Sequence, residues 1–148
     1  MTRPFRALAV VLVVLLAAQF LVGMITNLYA PIPSAVPGLR GNFDARLGAA
    51  ARWALLHGPP ELKIHVAAGL AIGVCAIALA VLALRAGRRP WLVLVLLGLL
   101  TSVLAGLAGA AFLAYHQDDL YSLLMSAGFL GALFCYGTVL LLRHGSPP

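Results

Sequence analysis

The stretch WLVLVLLGLLTSVLAGLAGAAFLA, residues 91–114, decides the fold of this chain because it contains no charged side chain. A helix rises about 1.5 Å per residue, so about 20 apolar residues cross a hydrocarbon core of ~30 Å. Lipid offers the backbone no hydrogen-bond partner, so a run of this kind must be helical. The stretch therefore predicts a membrane-spanning helix.

Three more apolar runs lie along the chain, at about residues 7–28, 64–84 and 120–142. The 148 residues are 63% hydrophobic and only 9% charged, which is too little charge for the surface of a soluble domain. We therefore predict an all-α integral membrane protein, in which residues 1–148 form a single bundle of four transmembrane helices. The first run could alternatively be a secretory signal peptide. Its apolar core exceeds the ~7–15 residues usual there, so we interpret it as an uncleaved anchor.

The net charge of +6 is distributed by side of the membrane. Arginines without an accompanying acid flank the helices on one side: Arg3, Arg6, Arg85, Arg88, Arg89 and Arg143. The four acids lie on the other side, among four basic residues: Asp44, Glu61, Asp118, Asp119, Arg40, Arg46, Arg52 and Lys63. Positive loops stay in the cytoplasm, so we expect both termini inside and residues 31–60 outside, in a bacterial cytoplasmic membrane. This pattern does not indicate nucleic-acid binding.

The loop after the first helix is expected to contain a short helix of its own. PIPSAVPGLRG, residues 31–41, favours extended backbone, after which Asn42 or Asp44 caps a helix that Gly58-Pro59-Pro60 ends. Apolar residues recur there at helical spacing: Phe43, Leu47, Ala50, Ala51, Ala54 and Leu55. We predict an amphipathic helix on the outer leaflet, with Trp53 at headgroup depth. It would cover the end of the bundle or dock a partner.

Small residues recur every three to four positions on the last three predicted membrane helices. They are Gly69, Gly73 (or Ile72), Ala76 and Ala80; Gly98, Ser102, Ala105 and Gly109; and Ser122, Ser126, Ala127, Gly131 and Ala132. Faces of this kind let helices approach closely where lipid supplies no hydrophobic drive. We interpret them as packing surfaces within the bundle or with another membrane protein.

His65 and His116 are the candidate functional residues. The predicted topology brings both to one height near the outer face, and each lies in line with the small residues of its helix. Two such imidazoles can ligate the iron of one b-type haem, with glycines leaving room for the porphyrin. The alternatives are that both histidines are simply hydrated at the interface, with Glu61 pairing to His65 at i−4, or that His57 joins them to bind copper or zinc. His144 follows the last helix.

Four helices with inward-facing histidines resemble the cytochrome b561-like group over about residues 61–142. The resemblance implies a haem-binding electron-transfer protein. That group commonly holds two haems between histidines on both sides of the membrane, whereas here no membrane histidine lies near the cytoplasmic face. The stretch from Asn27 through Trp53 and His57 to His65 is also similar to small bacterial four-helix membrane proteins, a similarity that implies no activity.

The remaining residues favour a protein that is not an enzyme. No Asp, Glu, Lys or Arg lies deep in a helix, where ion-coupled transporters usually need one, and no catalytic triad or nucleotide-binding loop is present. Cys75 and Cys135 fall inside helices, as small apolar side chains do. Gln19 is expected to hydrogen-bond across a helix interface. We therefore expect a small accessory or binding subunit of the membrane, with another membrane protein or a second copy as partner, and a haem-binding redox protein as the alternative.

Overall fold

The structure, a computed structural model, describes residues 3–87 and 89–142. These residues form five helices and no strand: α1 (Arg3–Tyr29), α2 (Phe43–Leu56), α3 (Pro60–Ala86), α4 (Arg89–Ala114) and α5 (Asp119–Leu141). Four of them, α1, α3, α4 and α5, are long and apolar enough to cross a membrane. The predicted all-α architecture with four spanning helices is confirmed at this level.

The long helices begin earlier than their apolar runs. Pro60 opens α3 at its first position, where the missing N–H costs no hydrogen bond, so Glu61 and Lys63 already lie in the helix. α1 likewise starts at Arg3 rather than near residue 7. Apolar runs predict the part of a helix that meets hydrocarbon, whereas backbone hydrogen bonds continue through the charged ends. At the other end of α3, Gly87 adopts a left-handed conformation with φ of 65° and stops the helix.

The four long helices form a closed ring in the order α1, α3, α4, α5. Each packs against its two neighbours in that order, and the α4–α5 interface is the most extensive. The shorter α2 packs on α3 and α4. It therefore covers the end of the bundle at which α3 begins and α4 ends.

Two separate clusters of buried side chains hold the bundle together. The inner core joins all four long helices and contains the large residues Phe5, Leu12, Leu79, Trp91 and Tyr136. Phe5 stacks on Trp91 with ring centroids 5.4 Å apart. The outer core joins α2 and the loop before it to α3 and α4, through residues that include Leu47, Ala50, Ala54, Leu62 and Ala111.

Close packing of α4 on α5 confirms part of the small-residue pattern. A Cβ built at Gly98 would lie 2.7 Å from the ring of Tyr136, and one at Gly131 would lie 3.0 Å from Thr101. Of the glycines at this interface, Gly128, which the pattern missed, lies tightest against backbone of the facing helix, since its Cβ would be 2.8 Å from the carbonyl oxygen of Thr101. At Gly73 a Cβ would meet nothing within 4 Å, so this glycine does not serve close packing inside the chain.

The predicted loop helix is present as α2. Asn42 caps it by accepting a hydrogen bond from the N–H of Ala45 at 3.1 Å, which satisfies one of the free N–H groups of the first turn. Leu47, Ala50 and Ala54 form its buried side. Its position on a membrane surface stays a prediction. Cys75 and Cys135 are both free thiols, half-buried and buried respectively.

Candidate functional site

A layer without fully buried residues separates the inner core from the outer core. It comprises four segments of the long helices, which we call the middle layer: residues 17–25 of α1, 63–71 of α3, 99–107 of α4 and 119–131 of α5. On α1 and α3, buried residues lie on both sides of it, with Leu16 and Ile72 on one side and Thr26 and Leu62 on the other. The layer contains His65, so the sequence-predicted site lies where α1 and α3 have no fully buried side chain.

His65 packs against α1 within the middle layer. A Cβ built at Gly23 would lie 3.0 Å from Cε1 of the His65 ring, so only glycine leaves space for the imidazole there. Gln19 donates from Nε2 to the backbone carbonyl of His65 at 2.9 Å. This contact confirms the prediction that Gln19 bonds across a helix interface. The same Nε2 lies 3.4 Å from Nε2 of His65.

The 3.4 Å contact with Gln19 bears on the proton position of the His65 ring, whose nitrogens can each donate or accept. An amide nitrogen has two N–H groups and accepts nothing, so a hydrogen bond from Gln19 to Nε2 of His65 requires that ring nitrogen to accept. A neutral ring with this bond carries its proton on Nδ1. That Nδ1 atom is buried and has no hydrogen-bond partner among the described residues.

Two further polar atoms of α1 and α3 lack partners. Oε1 of Gln19 and Oε2 of Glu61 are both buried and unpaired within residues 3–87 and 89–142. Glu61 lies one turn before His65, and its backbone carbonyl accepts a hydrogen bond from the hydroxyl of Thr26 at 3.2 Å. The α1–α3 polar cluster (Gln19, Thr26, Glu61 and His65) thus presents one unpaired donor and two unpaired acceptors. The polar partner of the His65 ring is Gln19, rather than Glu61 as the i−4 spacing suggested.

His116 belongs to a different set of contacts. It lies in the turn after α4, where His116 and Gln117 both adopt left-handed backbone with φ of 58° and 61°. Its Nδ1 lies 3.2 Å from the carbonyl oxygen of Ser34, and Gln117 donates to the carbonyl of Pro33 at 2.9 Å. The turn thereby holds the segment after α1. The rings of His65 and His116 have separate partners, and their joint ligation of a haem stays a prediction.

The other histidines do not join His65. His57 is exposed at the end of α2, and His144 lies outside the described residues. Within the described parts of the chain, no three His, Cys, Asp or Glu side chains are close enough to hold a metal ion together. The copper or zinc site of three histidines is therefore wrong.

Arg46 anchors the outer helix, a contact that the sequence did not predict. Its guanidinium lies 4.7 Å from the ring centroid of Tyr115 and donates to the carbonyl of Ala114 at 3.2 Å. Ala114 is the last residue of α4, where carbonyls lack helical partners and attract a cation. The sequence showed Arg46 only as one of the basic residues that accompany the acids. Its long stem lets the charge reach the end of α4.

Comparison of the chain with known protein families, with curated proteins and with solved structures found no match.

Proposed function

We propose that this chain is a small, non-enzymatic binding subunit of a membrane, which holds a ligand or a partner's side chain at the α1–α3 polar cluster. The observation that carries the proposal is the set of three buried, unpaired polar atoms on Gln19, Glu61 and His65. Gln19 and His65 lie in the middle layer, and Glu61 lies just outside it, next to the buried Leu62. A polar group can therefore approach Gln19 and His65 without displacing a fully buried side chain of that layer.

The energetic argument concerns the cost of leaving these atoms unpaired. A buried donor or acceptor without a partner costs about 1–3 kcal/mol, and hydrocarbon supplies no substitute partner. A bound group that accepts from Nδ1 of His65 and donates to Glu61 or Gln19 would remove part of that cost. The matching chemistry is a neutral group with both functions, such as a hydroxyl or a carboxamide. Such a group is found on amphipathic small molecules and on Ser, Thr, Asn or Gln of a partner helix.

Native mass spectrometry of the protein extracted in mild detergent tests this proposal. We expect a bound small molecule or polypeptide at fixed stoichiometry. His65→Leu should remove it, because leucine lacks the ring nitrogens, whereas Arg40→Gln, at an exposed position outside the cluster, should retain it. Circular dichroism verifies that both variants keep their helices. A bare monomer from the unaltered protein, or equal retention by both variants, would refute the proposal.

The same proposal places the protein in a bacterial cytoplasmic membrane, with both termini in the cytoplasm. The described arginines at the inner ends of the bundle, Arg3, Arg6, Arg85 and Arg89, are all exposed, which supports this orientation. A cysteine introduced at Ser34 should react with a membrane-impermeant maleimide in intact cells. One introduced at Arg88 should react only after lysis. The reverse pattern of labelling would overturn the orientation and leave the polar cluster unaffected.

Binding of one b-type haem by His65 and His116 is the second candidate function. It is favoured by the contact of His116, because a metal-binding histidine commonly donates one ring N–H to a backbone carbonyl and binds through the other nitrogen. The bond from Nδ1 to Ser34 would leave Nε2 available in this way. His65 fits less well. Binding iron through Nε2 would displace the contact from Gln19, and binding through Nδ1 would require that atom to lose its proton.

The absorption spectrum of the purified protein distinguishes the two functions. Under the haem hypothesis, protein purified from haem-replete cells has a Soret band and a reduced-minus-oxidised b-type spectrum. His65→Ala and His116→Ala would each abolish that spectrum, and His57→Ala would not. Colourless protein from such cells would eliminate the haem hypothesis.

A further inference from the structure

A pocket of about 490 Å³ opens on the outer helix, away from the α1–α3 polar cluster. One wall is the loop at Pro37 and Gly38, and the other is α2 with Gly48, Arg52 and Trp53, together with His57, which directly follows α2. The size suits a lipid headgroup or another small organic group, since ligand pockets commonly span ~300–1,000 Å³.

Two glycines, Gly38 and Gly48, border the open space of the pocket. A Cβ built at Gly38 or at Gly48 would meet no atom within 4 Å, so both positions border open space. Gly38 also has φ of 79°, a left-handed backbone that other residues rarely adopt.

The charge of the lining indicates an anionic ligand. Arg52 and His57 both line the pocket, and no Asp or Glu is among its lining residues. A guanidinium recognises the oxygens of a phosphate through two parallel hydrogen bonds, and histidine can donate a third. Trp53 adds an aromatic surface beside these polar groups, the combination that suits a molecule with an anionic head and an apolar body.

The position of the pocket along the chain favours a lipid as the ligand. Only Gly58 and Pro59 separate His57 from the first residue of α3, a helix long and apolar enough to cross a membrane. Tryptophan, which lines the pocket as Trp53, is enriched at membrane–water interfaces. We propose that this pocket binds the phosphate of an anionic phospholipid headgroup, with Arg52 as the principal contact, His57 as the second and Trp53 beside the glycerol region.

Fluorescence of Trp53 in nanodiscs tests the proposal. The chain has two tryptophans, so Trp91→Phe makes Trp53 the single reporter and preserves an aromatic ring against Phe5. Bromine on a lipid quenches a nearby tryptophan. Quenching of Trp53 by brominated phosphatidylglycerol mixed with unbrominated phosphatidylcholine is compared with quenching by brominated phosphatidylcholine mixed with unbrominated phosphatidylglycerol, at equal bromine content. We expect the brominated anionic lipid to be about fivefold enriched near Trp53, as one partly exposed charged contact can supply.

Variants of two arginines provide the comparison. Arg52→Gln should reduce the lipid preference to near unity, whereas Arg40→Gln, an exposed arginine outside the pocket lining, should leave it unchanged. Inorganic phosphate at millimolar concentration should not relieve the quenching. Relief by phosphate would show a soluble-anion site instead. Equal quenching by both lipids, or the same loss in the two variants, would overturn the proposal.

Discussion

Replacement of Gly128 by alanine should separate α4 from α5 and destabilise the bundle. The new Cβ would lie 2.8 Å from the carbonyl oxygen of Thr101 and 3.0 Å from both N and Cβ of Ala105. Two of these three atoms belong to the backbone of α4, which cannot rotate aside as a side chain can. The helices themselves must therefore move.

The size of the effect follows from these distances. Unstrained carbon contacts begin near ~3.5 Å, so the two helices must move apart by roughly 0.7 Å at this point. Overpacking of this kind costs about 1–3 kcal/mol. The intrinsic preference of a helix for alanine over glycine offsets up to ~1 kcal/mol of that cost.

Gly137 is the matched control on the same helix. A Cβ there would meet nothing within 4 Å, so Gly137→Ala gains the helix preference without a clash. Denaturation in mixed micelles, followed by circular dichroism, should place Gly128→Ala about 1–3 kcal/mol below Gly137→Ala, because the propensity term cancels between them. Equal stabilities for the two variants would refute the packing argument.

Two further substitutions test the inner core and the outer helix. Gly98→Ala should cost about 1–3 kcal/mol of stability in the same denaturation assay, because the Cβ would lie 2.7 Å from the fully buried ring of Tyr136. Adding Tyr136→Leu should recover part of the loss. An unchanged loss in the double variant would contradict the contact. Arg46→Gln should speed amide hydrogen exchange across α2 by about tenfold or more, since a hydrogen bond from a charged donor is worth about 1.5–3 kcal/mol. Equal exchange rates in Arg46→Gln and in the exposed control Arg40→Gln would contradict the anchoring role.

The spanning helices were predictable because lipid permits so few alternatives. An uncharged run long enough to cross the hydrocarbon can only be helical, so residues 91–114 alone predicted α4 to within two residues of its ends. The bond from Gln19 was predictable for a related reason. A carboxamide deep in an apolar helix needs a partner, and only another helix can offer one.

The contacts of His65 were not predictable from the sequence. Spacing along α3 puts Glu61 on the same face, but the rotation of α3 against α1 decides which neighbour the ring meets. Gly23 gave no signal, because it stands alone in an apolar run and its function is to receive a side chain from another helix. The same reason explains why Gly128 was missed and Gly73 was included: a spacing rule finds small residues but not the helix that faces them.

The two halves of the bundle are stabilised by different means, and this difference bears on function. Large interlocking side chains, among them Phe5, Trp91 and Tyr136, fix the inner half. The outer half combines the smaller outer core with polar contacts to backbone, from Gln19, Arg46 and the turn after α4. Segments with few fully buried contacts open at lower free energy than a packed core. A group that binds between Gln19 and His65 therefore meets the α1–α3 interface where it has no fully buried side chain, while the inner core keeps the four helices in register.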